Sequence, residues 1–256
     1  MKNFDFLSQR GPNRDSERSL FFSNQGETMA QAKKKTAFIE EVKTAKAFHI
    51  QPLSATQNYL LESIEKSVMT VCIGPAGTGK TYCSGMKAAQ LWLRGGYEKI
   101  VLTRPNVSTG KSLGYFPGTV EEKMEPWLRP ITEVLSTGLG RGRYDCMVQK
   151  GQVEIQPLET IRGRSFERSI VLVDEAQNLD LHALKAVTTR IGEYSKLILL
   201  GDPSQSDMAQ GNDLIRFVDM CHRHNIQVPI VKFTLDDIVR SDIVSQFCKM
   251  FFVEGV

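Results

Sequence analysis

Residues 74–81, with the sequence GPAGTGKT, restrict the possible folds of this chain more than any other segment. They fit G-x-x-x-x-G-K-[ST], a loop whose backbone N–H groups surround the phosphates of a nucleotide. The apolar segment 68–73 before the loop predicts a short buried strand, and residues 82–93 after it have the apolar spacing of a helix. Strand, glycine loop and helix together predict a nucleotide-binding α/β unit.

The loop offers three kinds of group to a nucleotide. Its glycines let N–H groups turn inward, and the N-terminus of the following helix adds a partial positive charge. Lys80 would meet the β and γ phosphates, and the Thr81 hydroxyl is a candidate ligand for Mg²⁺, the expected cofactor with ATP. The predicted ATP-binding residues of the loop are Gly74, Pro75, Ala76, Gly77, Thr78, Gly79, Lys80 and Thr81.

A second landmark is the aliphatic run 170–173, which predicts a central parallel strand and ends in Asp174 and Glu175. Asp174 is a candidate for holding Mg²⁺, and Glu175 for polarising the water that attacks the γ phosphate. The alternative is that the two acids merely cap the next helix. Gln205 follows the next predicted strand, 196–200, and would lie beside this tip as a γ-phosphate sensor.

Two further residues, Gln57 and Arg240, are candidates for the nucleotide site because of where they lie relative to the predicted helices and strands. Gln57 lies in the first turn of a helix that begins after Ser54, and it could pair with the N6 and N7 of adenine or simply be exposed. Arg240 lies between the last predicted strand, 230–234, and a terminal helix, 241–252. It could act in catalysis or form a structural ion pair.

The alternation of strands and helices predicts one domain. Further strands are expected at 99–103 and 153–156, and helices at 181–191 and 211–222. A helix capped by Thr119 should bury Met124 and Trp127 and break at Pro126 and Pro130. Residues 138–143 predict a glycine–arginine turn. The fold class is α/β, a P-loop NTPase (RecA-like) with a mainly parallel sheet of five or six strands flanked by helices.

Charge and composition separate a tail from this domain. Residues 1–46 carry nine basic and six acidic side chains and predict a flexible polar tail, within which Met29 could be an alternative start. Residues 47–256 form the predicted domain and are neutral overall, with 23 charges of each sign, so bulk charge does not indicate nucleic-acid binding. No apolar run is long enough for a membrane span, and five scattered cysteines favour buried thiols in a cytoplasmic protein.

The chain resembles the PhoH family of P-loop ATPases over about residues 50–250. The motifs that carry the resemblance are GPAGTGKT at 74–81, TRP at 103–105, LGYFPG at 113–118, EEKMEPWLRP at 121–130, IRGRSF at 161–166, VDEAQN at 173–178, TRIG at 189–192 and GDPSQSD at 201–207. The family is similar to the first motor domain of superfamily 1 helicases. The resemblance implies the same roles for Lys80, Thr81, Asp174, Glu175 and Gln205 as the strand tips suggest.

The resemblance also implies contact with single-stranded nucleic acid, most plausibly RNA. Arg104 and the segment 106–118 match the part that touches nucleic acid in such motors, and the candidate residues are Arg104, Lys111 and Arg164. Superfamily 1 helicases complete their site with an arginine from a second motor domain, which finds no counterpart in this sequence. We therefore expect a homo-oligomeric ring, a hexamer, in which Arg240 or Arg190 reaches the neighbouring γ phosphate.

Three functions remain open from the sequence. The first is an ATPase that translocates along, or unwinds, single-stranded RNA or DNA. The second is an ATP-dependent scaffold or stress switch without unwinding activity, which the neutral charge of the domain favours. The third is a kinase acting on a small substrate, against which Glu175 and Gln205 favour water as the nucleophile.

Overall fold

Six parallel strands form a single sheet in the computed structural model, which describes residues 48–105, 120–161, 163–206 and 212–254. The predicted tail 1–46 with Met29, the segment 106–118 and Lys111 lie outside these residues. The strands are β1 (Met69–Ile73), β2 (Lys99–Thr103), β3 (Val153–Ile155), β4 (Ser169–Val173), β5 (Lys196–Gly201) and β6 (Ile230–Lys232). Their order across the sheet is β3-β2-β4-β5-β1-β6.

The two central strands carry the predicted chemistry at their ends. Every residue of β4 and β5 is buried, as expected for strands covered on both faces. Val173 pairs with Leu199, so the residues after β4 and after β5 emerge at the same edge of the sheet. On its other side β5 pairs with β1, and Ile73 pairs with Gly201. This order confirms that the P-loop, the Asp174–Glu175 tip and the tip before Gln205 are neighbours.

Seven α-helices complete the described part of the domain. They are α1 (Ala55–Lys66), α2 (Lys80–Arg94), α3 (Val120–Leu139), α4 (Arg141–Gln149), α5 (Leu181–Thr188), α6 (Asp213–Arg223) and α7 (Asp242–Glu254). The six-stranded parallel sheet flanked by helices confirms the predicted α/β fold class. None of these helices has the length and apolarity that crossing a bilayer requires.

The prediction that Pro126 and Pro130 break the helix is wrong, because α3 continues through both. Both prolines are exposed, so their rings face solvent. The sequence predicts that Trp127 is buried, but it is only half-buried. Leu128 faces inward in its place. The buried side chains of α3 recur every three or four residues: Met124, Leu128, Ile131, Leu135 and Leu139. Packing of this stripe offsets the hydrogen bonds that the prolines remove.

Other predictions of local structure need smaller corrections. The segment 138–143 is a junction between α3 and α4 at Gly140, and the whole of α4 was missed. The apolar spacing in α1 predicts Tyr59 on the buried face of that helix, but 53% of it is exposed. The helix predicted to reach residue 191 ends at Thr188, because Ile191 pairs with Phe166 in a β-bridge. Cys72 and Cys221 are buried free thiols, as predicted.

Candidate functional site

The P-loop connects β1 to the N-terminus of α2 and is shaped by glycines. Gly77 and Gly79 adopt positive φ angles of 81° and 86°, which an L side chain rarely adopts. Gly74 approaches the residue after β6 so closely that a Cβ there would lie 2.5 Å from the backbone oxygen of Phe233. Helix α2 begins at Lys80 without a side-chain cap, so its first N–H groups remain available to an anion.

Gln57 is hydrogen-bonded to the backbone of this loop. Only 3% of the residue is exposed, so it is not the exposed helical glutamine that was one alternative. Its Nε2 donates to the backbone oxygen of Thr78 at 3.0 Å, and its Oε1 accepts from the backbone N–H of Leu53 at 2.8 Å. Adenine recognition by Gln57 stays a prediction. What the structure adds is a hydrogen bond that holds the P-loop backbone, which the sequence did not indicate.

The variant Gln57→Glu should weaken the binding of ATP and of GTP by similar factors. Glutamate keeps an acceptor for Leu53 but has no N–H to donate to Thr78, so the loop loses one buried hydrogen bond. We expect a loss of about fivefold to tenfold, equivalent to about 1–1.4 kcal/mol. Titration with fluorescent ATP and GTP analogues measures it, and Asn58→Asp on the exposed side of α1 is the control. A loss confined to ATP would instead support adenine recognition.

Lys80 is held close to the loop carbonyls. Its Nζ donates to the backbone oxygens of Gly74 and Pro75, both at 2.7 Å. Burial lowers the pKa of the Lys80 ammonium, and nearby groups including Asp202, Asp174 and Glu175 oppose that shift. The ammonium is therefore a desolvated cation, which attracts a phosphate more strongly than an exposed one does.

The affinity for ATP should fall as the pH rises through the lowered pKa of Lys80. Deprotonation removes the charge that meets the phosphates, and it occurs at a lower pH than for an exposed lysine. Binding of ATP measured between neutral pH and about pH 10 tests this. Lys80→Arg stays charged over that range, so its affinity should change little. If wild type and Lys80→Arg lose affinity in parallel, the lysine is not the titrating group.

The carboxylates after β4 face the same cavity as the P-loop. This cavity, of about 480 Å³, brings together all of the predicted catalytic and metal residues: Lys80, Thr81, Asp174, Glu175, Gln205 and Arg240. Burial raises the pKa of Asp174, and the neighbouring Glu175 carboxylate raises it further, while Arg104 opposes the shift. Two adjacent carboxylates at this edge of the sheet suit a cation, and the turn Ala176–Asn178 that follows has no side-chain cap at Glu175, which does not support the helix-capping alternative.

Glu175 is held by two partners. Its backbone lies in the left-handed region at φ 53°, which is unusual for a glutamate and common at functional sites. Its Oε2 accepts from Gln177 Nε2 at 2.5 Å, and its Oε1 lies 3.5 Å from Arg104 Nη2. Gln177 is buried, and its Oε1 accepts from the backbone N–H of Asp202 at 2.9 Å. Gln177 therefore connects the tips of β4 and β5.

Gln177 is the site residue that our sequence reasoning missed. It lies within the segment VDEAQN, which carried the family resemblance, but no role had been given to it. Gln205, which was predicted to sense the γ phosphate, lines the cavity and donates from Nε2 to Asp202 Oδ2 at 3.0 Å. Asp202 is thus bonded to both glutamines, because its backbone N–H donates to Gln177 and its carboxylate accepts from Gln205.

Arg240 lies against the P-loop of its own chain. A Cβ built on Gly77 would lie 3.2 Å from Arg240 Cγ, and the backbone N–H of Val239 donates to the oxygen of Gly77 at 3.0 Å. Arg190 does not line this cavity. Its Nη1 donates to the backbone oxygen of Arg164 at 3.4 Å, and its buried Nε has no hydrogen-bond partner in the described part of the chain.

The candidate nucleic-acid residues are separated. Arg104 lines the cavity beside the P-loop, and its Nη1 donates to the backbone oxygen of Trp127 at 3.0 Å. Arg164 lies at the β3 side of the sheet, where it donates to Gln156 Oε1 at 3.0 Å and pairs with Glu154 Oε2 at 3.3 Å. The structure therefore does not bring Arg164 into one surface with Arg104.

Two solved structures show a distant similarity to this chain. The chain is similar to the large terminase of a thermophilic bacteriophage, at 14% identity and a TM-score of 0.49, over 78% of this chain and 50% of that one. It is also similar to the Pif1 helicase of Candida albicans, at 17% identity and a TM-score of 0.41, over 80% of this chain and 44% of that one.

Curated proteins match at higher identity. A PhoH-like protein of Bacillus subtilis is 40% identical over 172 residues, which is 67% of this chain and 54% of that protein. A PhoH-like protein of Synechocystis is 37% identical over 178 residues, 70% of this chain and 53% of that protein. Protein PhoH of Escherichia coli K12 is 36% identical over 193 residues, 72% and 53% of the two chains. The matches thus span about half the length of these relatives.

A family model also matches most of this chain. Residues 49–252 match the family model described as PhoH-like protein, and this range includes the P-loop, both strand tips and Arg240. The P-loop, the six parallel strands and the adjoining acidic tip together make the fold a P-loop NTPase. The chain therefore belongs to the PhoH family.

Proposed function

We propose that this domain binds and hydrolyses ATP with Mg²⁺ and couples hydrolysis to single-stranded nucleic acid, with RNA as the preferred substrate. The observation that carries the proposal is the cavity in which the P-loop meets the tips of β4 and β5. A phosphate-binding loop alone would support nucleotide binding. The carboxylate Glu175 and the amide Gln205 in the same cavity add the groups that hydrolysis requires.

Mg²⁺ fits the donor set of this cavity. Thr81 offers a hydroxyl and Asp174 a carboxylate, and oxygen ligands of this kind are the ones that Mg²⁺ prefers. The raised pKa of Asp174 reflects a buried carboxyl group beside a second carboxylate, and a cation there would stabilise its charged form. Thr81 and Asp174 would hold the ion, which would supply positive charge to the phosphates.

In the proposed hydrolysis, several residues of this chain have separate roles. Lys80 and the first N–H groups of α2 bind the phosphates and stabilise negative charge as it moves during transfer. Glu175 accepts a proton from the attacking water, or orients that water for in-line attack. Gln177 positions Glu175 through the hydrogen bond to its Oε2. Gln205, held by Asp202, would contact the γ phosphate.

Coupling to nucleic acid is proposed through Arg104. The guanidinium group of Arg104 lies 3.5 Å from the Glu175 carboxylate, so one side chain contacts both the catalytic group and an open surface. A second cavity of about 710 Å³ next to the catalytic one exposes Arg104 together with Trp127, Phe251 and Phe252. Aromatic faces beside a guanidinium group suit a single strand, whose bases stack and whose phosphates are anionic. A backbone phosphate bound to Arg104 would withdraw it from Glu175.

Comparing the ATPase rates of wild type and Arg104→Gln, with and without poly(U) RNA, tests this coupling. We expect RNA to stimulate the wild type. We expect Arg104→Gln to have a raised basal rate, because Glu175 is released, and little further response to RNA. Arg129→Gln, on the exposed side of α3, is the matched control and should respond as the wild type does. A wild-type rate unchanged by poly(U) and by single-stranded DNA would contradict the coupling.

An oligomeric ring, with six subunits as the expected number, is proposed from the surface of α7. No residue of this helix is buried in the described structure. Apart from Phe251 and Phe252, which line the cavity beside Arg104, its exposed apolar side chains are Ile243, Val244, Phe247, Met250 and Val253. A contiguous apolar surface of this kind favours contact with another protein surface, and α7 begins directly after the residues that approach the P-loop. Sedimentation velocity of the purified chain tests the proposed state.

One observation favours a second function. Residues 47–256 contain equal numbers of acidic and basic side chains, which gives no general attraction for nucleic acid. An ATP-dependent scaffold or switch would need only the nucleotide site and the apolar surface of α7. ATP hydrolysis that is unaffected by any nucleic acid would favour this function. For either function the free cysteines fit a reducing compartment, and we propose the cytoplasm.

A further inference from the structure

A third cavity, of about 790 Å³, lies along strand β3 and shares no lining residue with the nucleotide site. Four consecutive residues, 153–156, form one side of it. A cavity over one face of a sheet would be lined by alternate residues of a strand, so this one runs along the edge of β3. Helix α4 forms the opposite side through Tyr144, Asp145, Val148 and Gln149, so the cavity is a groove between a strand and a helix.

Strand β3 has a free edge along this groove. Within the described ranges β3 pairs with β2 alone, and it is the outermost strand of the sheet. The backbone oxygen of Gln152 accepts from Ile100, and the N–H of Gln156 donates to Leu102, both at 2.8 Å. In a parallel ladder every second residue bonds to the same neighbour, so Glu154 also faces β2. The backbone groups of Val153 and Ile155 therefore point outward, towards the groove.

The groove offers apolar contact and unpaired negative charge. Val148 on α4 is 46% exposed. Glu125 and Asp145 form no ion pair within the part of the chain that the structure describes, whereas Glu154 is paired with Lys99 and with Arg164. Glu125 and Asp145 line the groove together with Tyr144, whose pKa is raised first by its burial and also by the charges of these two carboxylates.

We propose that this groove binds an extended segment of a partner protein as an added strand on β3. The outward groups of Val153 and Ile155 would bond to the backbone of the segment, and this main-chain pairing supplies affinity without demanding a particular sequence. A lysine or arginine of the segment would pair with Glu125 or Asp145, and its apolar side chains would contact Val148. The preferred partner is therefore an extended, basic segment with alternating apolar residues.

Nucleic acid is a less suitable occupant of the same groove. Its phosphates would approach the unpaired carboxylates of Glu125 and Asp145, and like charges in close contact are repelled. The guanidinium group of Arg164, which could attract a phosphate, is already bonded to Gln156 and Glu154. The groove thus gives the Arg164 region a role in protein binding, separate from the proposed nucleic-acid contact at Arg104.

The probe for this proposal is a fluorescently labelled heptapeptide that alternates lysine with valine. We expect it to bind the full chain and to slow amide hydrogen exchange at Val153 and Ile155. The charge-reversal variants Glu125→Lys and Asp145→Lys should each weaken binding by at least about tenfold. Both residues are exposed, so the variants should fold, and unchanged ATP binding checks that they do. Glu133→Lys, on the same helix as Glu125 but outside the groove, is the matched control and should bind as the wild type does.

Four outcomes would overturn the proposal. One is that the wild type fails to bind the lysine–valine peptide. The second is that a peptide with glutamate in place of lysine binds equally well, and the third is that the charge-reversal variants retain full affinity. The fourth is protection of Val153 and Ile155 that increases with protein concentration in the absence of peptide, because a second copy of this chain would then be the occupant.

Discussion

Glu175→Gln is expected to retain ATP while its rate of hydrolysis falls by about 10²–10⁴, the usual contribution of a general base. The amide has nearly the same shape as the carboxylate, and its oxygen can still accept the hydrogen bond that Gln177 donates. It cannot accept a proton from water at neutral pH. Binding of a fluorescent ATP analogue and steady-state release of phosphate, measured on the same preparation, separate the two effects.

The control for this substitution is Glu193→Gln, which makes the same chemical change at an exposed residue before β5. Its turnover should equal that of the wild type. Release of labelled phosphate into water should account for all of the wild-type turnover, since a kinase would transfer it to another acceptor. Turnover by Glu175→Gln within a fewfold of the wild type would exclude Glu175 as the group that activates water.

Arg240→Ala is expected to lower the rate of ATP hydrolysis by about 10³–10⁵, which is the effect of an arginine that stabilises a transferring phosphoryl group. Arg240 lies against Gly77 in the same chain and lines the cavity with Lys80 and Glu175. This geometry favours action on the nucleotide of its own subunit. Arg240→Lys keeps the charge but loses the planar pair of donors, so it should recover only part of the rate.

Mixed oligomers distinguish action within a subunit from action across an interface. Arg240→Ala and Glu175→Gln chains carrying different tags are produced together, and complexes containing both are purified. If Arg240 acts within its own subunit, each chain of the mixture still lacks one essential group and turnover stays low. Recovery of turnover in the mixture would show that a neighbouring Arg240 completes the site. Arg190 lies outside the cavity, so Arg190→Lys should leave ATP turnover unchanged whichever result the mixture gives.

The strands and the central part of the site could be predicted because their signals are local. Segments such as 170–173 are aliphatic throughout, and a buried parallel strand is the structure that such a run favours. The P-loop needs glycines at positive φ angles, which a sequence displays directly. Once the strands were parallel, the residues after β4 and β5 had to emerge at one edge, so the approach of Glu175 to Gln205 also followed.

Predictions from single helices were less successful where packing decided the outcome. Pro126 and Pro130 indicate a break when their local effects are considered alone. Helix α3 continues because its apolar stripe, with Leu128 and Leu135 fully buried, packs against the rest of the domain. Helix α5 ends early for the opposite reason, since Ile191 pairs with Phe166 and leaves the helical path. In both cases the residues that a helix end or stripe contacts lie outside that helix in the sequence.

By itself, the sequence determined the fold class, the P-loop and the carboxylates that lie beside it, because each depends on residues close together in the chain. Only the tertiary structure decided how these groups are held. Gln57 reaches Thr78, Gln177 joins Glu175 to Asp202, and Arg240 lies on Gly77. Each of the contacts to Thr78, Asp202 and Gly77 joins residues more than twenty positions apart in the chain. They form because packing of the sheet and its helices brings those residues together, and no local pattern of residues encodes such a distance.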